Sequence, residues 1–166
     1  MAYILVDGYN LLGIFHKNLE KAREGLIASL GNYCDIKGHD LTIVFDGWKE
    51  GEPFETRFEH GRVTVIYSRL GEKADAVIER ILKGKERAWI VVTSDRAVSD
   101  FAWSMGYASV GSQEFERKLE SSIYKKSLDV LNQTHDEEDY IRYPKKGNPR
   151  QPNKRQKLKL KALEKL

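Results

Sequence analysis

Tyr3-Ile4-Leu5-Val6-Asp7-Gly8-Tyr9-Asn10 decides how this chain folds. An apolar run with β-branched members stops abruptly at an acid, a glycine and an asparagine. That is the pattern of a buried central strand delivering a carboxylate to its C-terminal edge. Ile43-Val44-Phe45-Asp46-Gly47 and Ile90-Val91-Val92-Thr93-Ser94-Asp95 repeat the design. Val63 to Tyr67 reads as a further buried strand, and Tyr107 to Val110 as a short fifth one.

Helical spacing fills the intervals. Leu19, Ala22, Leu26, Leu30 and Tyr33 recur on one face, with Asn18 placed to cap the helix that carries them. Ala74, Val77, Ile78, Ile81 and Leu82 form a clean apolar stripe, with Asp75 beside it near the helix start. Short patterns at Val98 to Met105 and Phe115 to Ile123 complete the set. Residues 48–62, charged and aromatic between glycines, read as a long surface loop. Strands alternating with helices predict an α/β fold, a parallel sheet wrapped on both faces.

A chain of 166 residues suits one domain with a usable core and an appended tail. The break falls at about residue 132: residues 1–132 form the domain, and 133–166 an acidic linker followed by a basic, mobile extension in which Leu158 to Leu166 has the makings of a short helix. No run approaches the roughly 20 apolar residues of a membrane span. No basic and apolar leader precedes the first strand. The lone Cys34 excludes an internal disulfide and a multi-cysteine zinc site, and fits a reducing cytoplasm. The overall charge of +3 hides a division. Residues 144–166 hold nine Lys/Arg against one Glu, about +8, which leaves about −5 on residues 1–143. An acidic body with a basic tail suits a carboxylate-lined site tethered to a polyanion, and equally a domain with a solubilising tail.

In an open α/β sheet, ligands bind beyond the carboxyl ends of the strands. Asp7, Asp46 and Asp95 each follow a buried strand, and Asp75, at the start of a helix, reaches the same side. Carboxylates gathered there repel one another unless a cation neutralises them, and hard divalent ions prefer oxygen ligands. The chemistry that follows is metal-activated water attacking a phosphodiester. Each acid also has a plainer role open to it: Asp-Gly after a strand is a common turn element, Asp95 is placed to cap a helix, and Asp75 complements a helix dipole. Asn10 either orients a water or phosphate at this edge or stabilises its own loop. Arg69, Lys73 and Arg96 adjoin the acidic segments and suit a phosphate backbone, while Tyr9 and Trp48 suit either base stacking or packing on the sheet edge.

Taken in order, Ile4 to Asn10, Val44-Phe45-Asp46-Gly47, Ala74-Asp75 with Val77-Ile78-Glu79, and Ser94-Asp95-Arg96 resemble the YacP-like branch of the NYN domains, part of the PIN-like ribonuclease group. The resemblance covers roughly residues 1–125. It implies a central parallel sheet in the order 3-2-1-4-5, counting the five strands above, and endonucleolytic cleavage of RNA dependent on Mg²⁺ or Mn²⁺. It makes Asp7, Asp75 and Asp95 metal ligands or their close supports, with Asn10 beside them and Asp46 a further member. The branch often shows Thr-Ala-Asp-Asp where this chain has Lys73-Ala74-Asp75-Ala76, which leaves fewer ligands and favours a single ion. Some members act on messenger RNA at the ribosome. A non-catalytic RNA- or ribosome-binding module on the same fold is the rival expectation, supported by the missing acid at Ala76. A phosphohydrolase of small substrates is disfavoured by the lack of a glycine-rich phosphate loop.

Overall fold

The computed structural model describes residues 1–12, 19–47, 52–131 and 153–166, with residues 126–131 as backbone alone. Trp48 and Asn18 lie outside the described residues, as do residues 133–152 of the expected linker and tail. The chain runs β1 (Tyr3–Asp7), α1 (Gly8–Leu12), α2 (Leu19–Lys37), β2 (Asp40–Phe45), β3 (Thr56–His60), β4 (Val63–Tyr67), α3 (Ala74–Gly84), β5 (Trp89–Val92), α4 (Arg96–Ser104), β6 (Ala108–Val110), α5 (Ser112–Leu131) and α6 (Lys154–Lys165).

One sheet carries the strands in the order β3-β4-β2-β1-β5-β6. All neighbours are parallel except the β3–β4 hairpin. Omitting β3, the order is that expected for the five strands read from the sequence. β3 itself was expected to be loop. Its residues are mostly exposed, so no buried apolar run marks it, and Gly61 at φ +60° makes the turn that folds it back on β4.

The alternation of a pleated strand splits the core in two. Ile4, Val6, Ile43, Phe45, Ile90 and Val92 face α2 and α5, packing with Leu30, Tyr33 and Phe115. Leu5, Val44, Ile66 and Val91 face α3 and α4, packing with Val77, Ile78, Leu82 and Ala102. Both faces being covered, the strands read as apolar runs rather than as alternating ones.

Residues 153–166 are not a free extension. Asn153 closes a capping box with Gln156, and α6 packs along β6, the sheet edge opposite β3. Ala162 and Leu166 are buried in the α2/α5 core. The carbonyl of Leu166 accepts from the Tyr33 hydroxyl at 2.8 Å, and that of Lys165 lies 2.8 Å from His39 Nε2. Lys159 and Arg155 pair with Glu114 and Asp100. A sparse apolar stripe, swamped in composition by lysine, is enough to dock the helix. Among the described residues no helix is long and apolar enough to cross a membrane.

Candidate active site at the carboxyl edge of the sheet

Asp7 ends β1, the centre of the sheet, and is only 4 % exposed. Gly8 follows because nothing larger fits: a Cβ there would overlap the Phe45 ring and come within 2.8 Å of the Val44 carbonyl oxygen. This glycine serves a close approach of β1 to β2 rather than a turn. The chain winds at once into α1, which brings Asn10 back over Asp7. Its side-chain amide donates to Asp7 Oδ2 at 2.5 Å, and its backbone N–H to Oδ1 at 3.4 Å. Asn10 therefore fastens the carboxylate.

Thr93, at the end of β5 and 2 % exposed, joins two of the acids. Its hydroxyl donates to Asp7 Oδ2 at 3.3 Å and accepts the Asp95 N–H at 3.0 Å. In the sequence it reads as a strand residue, and the continuous apolar run before it gives no sign that its hydroxyl turns to the site. Asp95 caps α4, accepting from Ala97 N at 2.7 Å and Val98 N at 3.2 Å through Oδ1 alone. The cap and the site are compatible uses of one side chain, because Oδ2 is left over.

Asp46 Oδ1 accepts the backbone N–H of Ala74, fixing the start of α3 and with it Asp75. Ser68, also missed, staples the same region: its hydroxyl accepts from Gly47 N at 2.9 Å and donates to the Glu72 carbonyl at 2.6 Å. Asp75 itself has no hydrogen-bond partner among the described residues.

The electrostatics tie the four together. Burial pushes the Asp7 carboxyl above its ordinary value; the hydrogen bonds from Asn10 and Thr93 pull it back, and the charge of Asp46 adds to the rise. Asp75 is raised by burial first, then by the charges of Asp7, Asp95 and Asp46, with Lys73 opposing. Acids from four separate segments thus act on one another.

They do not form a ready-made cage. Among the described residues, no three His, Cys, Asp or Glu side chains are gathered closely enough to grip an ion directly. The donor set still suits a hard cation. It is all carboxylate oxygen, it concentrates negative charge on Asp75, and Mg²⁺ ordinarily takes only one or two carboxylates and keeps several waters.

Arg69, Lys73 and Asp75 line one open cleft of about 790 Å³, with Glu72 and Glu79. Arg69 is exposed and lies 3.5 Å from Glu72. Arg96 opens α4 beside Asp95 with its side chain 96 % exposed, 3.8 Å from Asp100. Tyr9 is half-buried against the core, its ring edge-on to Phe45 at 5.8 Å, so packing occupies much of the surface that stacking would need.

Comparison with known proteins agrees with this fold. The profile of the YacP-like NYN domain matches residues 4–166. The protein YacP of Bacillus subtilis (strain 168) is 28% identical over 131 residues, covering 73% of this chain and 76% of that protein. Two crystal structures of Rae1 (YacP) from Bacillus subtilis are similar at 25% identity. The first, of a point mutant, has a TM-score of 0.65 and covers 82% of this chain and 86% of that one. The second has a TM-score of 0.63, with 80% and 81% covered.

Proposed function

The chain belongs to the YacP-like NYN domain family, a family of nuclease type, and from that premise we propose that it is a divalent-metal-dependent endoribonuclease acting on single-stranded or ribosome-associated RNA. The observation that carries the reading is the field at Asp75, where the charges of Asp7, Asp95 and Asp46 converge at the carboxyl edge of a parallel sheet. A cation there would remove this repulsion, which Lys73 opposes.

Asp7, Asp75 and Asp95 would hold Mg²⁺ or Mn²⁺, with Asp46 supporting Asp75 through the start of α3. The ion supplies positive charge that makes water a competent nucleophile near neutral pH and offsets charge on the phosphate. Asn10 and Thr93 hold Asp7 in one orientation. Arg69 and Lys73 on the cleft, and Arg96 at the start of α4 beside Asp95, would take the flanking phosphates, a contact that positions the strand without reading its sequence. Ala76, where a second acid often stands in the family, favours one ion over two.

Purified protein should cut single-stranded RNA with Mg²⁺ or Mn²⁺, and Asp7→Asn or Asp95→Asn should abolish cutting. Equal cutting by both variants would trace the activity to a contaminant and end the proposal. The second reading, an RNA- or ribosome-binding module without catalysis, is favoured by Ala76 and by the absence of a three-ligand cage among the described residues. Ribosome co-sedimentation unaffected by Asp7→Asn, with no metal-dependent cleavage of any RNA, would select it.

A further inference from the structure

At the opposite edge of the sheet, where β5 and β6 begin, the docked α6 closes a second recess of about 400 Å³. By strand rise alone it lies roughly 13 Å or more from the acids, since Trp89 sits beside Tyr3 in the sheet register and Asp7 ends the same strand. Its wall is apolar and aromatic: Trp89, Tyr107, Leu158 and Ala162. Its rim carries Lys161 and Lys165, with Glu164 as the one acid among its lining residues. Trp89 is 7 % exposed, and its indole N–H has no acceptor among the described residues. The Tyr107 ring is held in place by its hydroxyl, which donates to the Leu82 carbonyl at 3.2 Å.

We propose that this groove binds an unpaired nucleotide of RNA, the base on the partly exposed Tyr107 ring beside the nearly buried Trp89 and the phosphates on Lys161 and Lys165. Three features choose that occupant. First, the charge is in surplus. Arg155 and Lys159 of α6 are paired with Asp100 and Glu114. Lys154, Lys157, Lys161 and Lys165, at helical spacing along one side, have no acid drawn opposite them among the described residues. Second, the cations are anchored. His39 and Tyr33 grip the carbonyls of the last turn, so the rim is presented on a rigid element. Arg87 adds a cation next to the wall, its guanidinium 4.7 Å from the Tyr3 ring centroid and 5.7 Å from that of Trp89. Third, an aromatic wall with a basic rim is how unpaired bases are recognised, the ring stacking and the backbone neutralised. RNA as the ligand rests on the reading above; the groove itself does not depend on cleavage.

The test uses full-length Asp7→Asn protein, a short single-stranded RNA and no divalent ion, so that binding is read without turnover. The indole ¹⁵N–¹H signal of Trp89, assigned by its loss in Trp89→Phe, should move on adding RNA. Lys161→Gln with Lys165→Gln should weaken binding roughly tenfold and lower the slope of log Kd against log salt by about 1.4, two phosphate contacts on a single strand. Lys118→Gln with Lys125→Gln on α5 removes the same charge and should leave affinity within about twofold. An unmoved indole, or equal weakening by both pairs, overturns the proposal. A signal that responds to an acidic peptide and not to RNA also overturns it and reassigns the groove to a protein partner. Protein that binds here and never cuts RNA would defeat the nuclease reading alone; protein that cuts RNA with this groove silent would defeat the groove alone.

Discussion

Thr93→Val is the substitution that most directly asks whether the acidic edge is built as described. Valine keeps the shape of threonine and removes one hydroxyl from a residue 2 % exposed. Two hydrogen bonds go with it: donation to Asp7 Oδ2 at 3.3 Å and acceptance from Asp95 N at 3.0 Å. A bond to a charged acceptor is worth about 1.5 kcal/mol at the lower end, suited to this long one, and an orphaned N–H costs about 1 kcal/mol or more. The added methyl returns about 0.8 kcal/mol. The net loss is about 2 kcal/mol, or roughly 4–8 °C in Tm for a chain of this size. The loss should depend on pH. Burial holds Asp7 above its unfolded value, so its ionisation weakens the fold as pH rises from about 3.9 through the folded value. Without the hydroxyl that value rises further. The deficit of the variant is therefore full at neutral pH and shrinks in acid, where the carboxyl is protonated in both states. Urea midpoints across pH measure the first effect. The acid limb of the cleavage profile, which should move to higher pH, measures the second. A variant within about 0.5 kcal/mol of the parent at pH 7, with an unmoved acid limb, would refute the bridge.

Three further outcomes follow from the same coordinates. Gly8→Ala drives a methyl into the Phe45 ring and against the Val44 carbonyl, and should cost about 1–3 kcal/mol by chemical denaturation; a neutral alanine would mean that β1 and β2 are not so close there. Asp75→Asn should abolish cleavage yet raise stability at neutral pH. Its folded value is raised by burial and by Asp7, Asp95 and Asp46, so its charge opposes folding above the unfolded value of about 3.9. The gain should vanish as pH falls below that value, and a variant less stable than the parent at pH 7 would count against the convergence of charge. Cys34 is buried, and burial pushes its thiol up to about 12. Alkylation at pH 8 should therefore proceed only as fast as the protein opens, and rapid labelling of native protein would contradict the packing of α2.

Much of this was legible because the fold is written in long apolar runs. β1, β2, β4 and β5 are buried on both faces, so their residues declare themselves, and the acid that ends such a run is placed by topology alone. β3 was not legible, and α6 was legible as a short helix but not as a docked one, for the converse reason. β3 lies at an exposed edge where Arg57, Phe58 and Glu59 face solvent, and its only cue was Gly61 between two short segments of strand-forming residues. α6 buries so little apolar surface that its lysines dominate any reading of composition. At the site, residue type and position were visible while the partners were not. Nothing in Val91-Val92-Thr93 shows that one hydroxyl serves two acids, and nothing near Ser68 shows that it ties two loops together.

Those hidden bonds rank the acids in a way the sequence could not. Asp7 is held by Asn10 and Thr93, Asp95 by the first turn of α4, and Asp46 by the start of α3. Three carboxylates are thus fixed by bonds made before any ion arrives, which limits how far they can close on one. Asp75, with no bond drawn to its own carboxyl and the charge of the other three upon it, is the one left able to adjust. On the proposed reading, such a site would meet a hydrated cation with fixed acids and rely on one movable side chain and the ion's own waters, which suits Mg²⁺ because it gives up water reluctantly. On the same reading, ion-dependent chemistry would survive Ala76 in place of a second acid, because that acid would be an addition beside Asp75, whereas the fastening of Asp7 by Asn10 and Thr93 is intact.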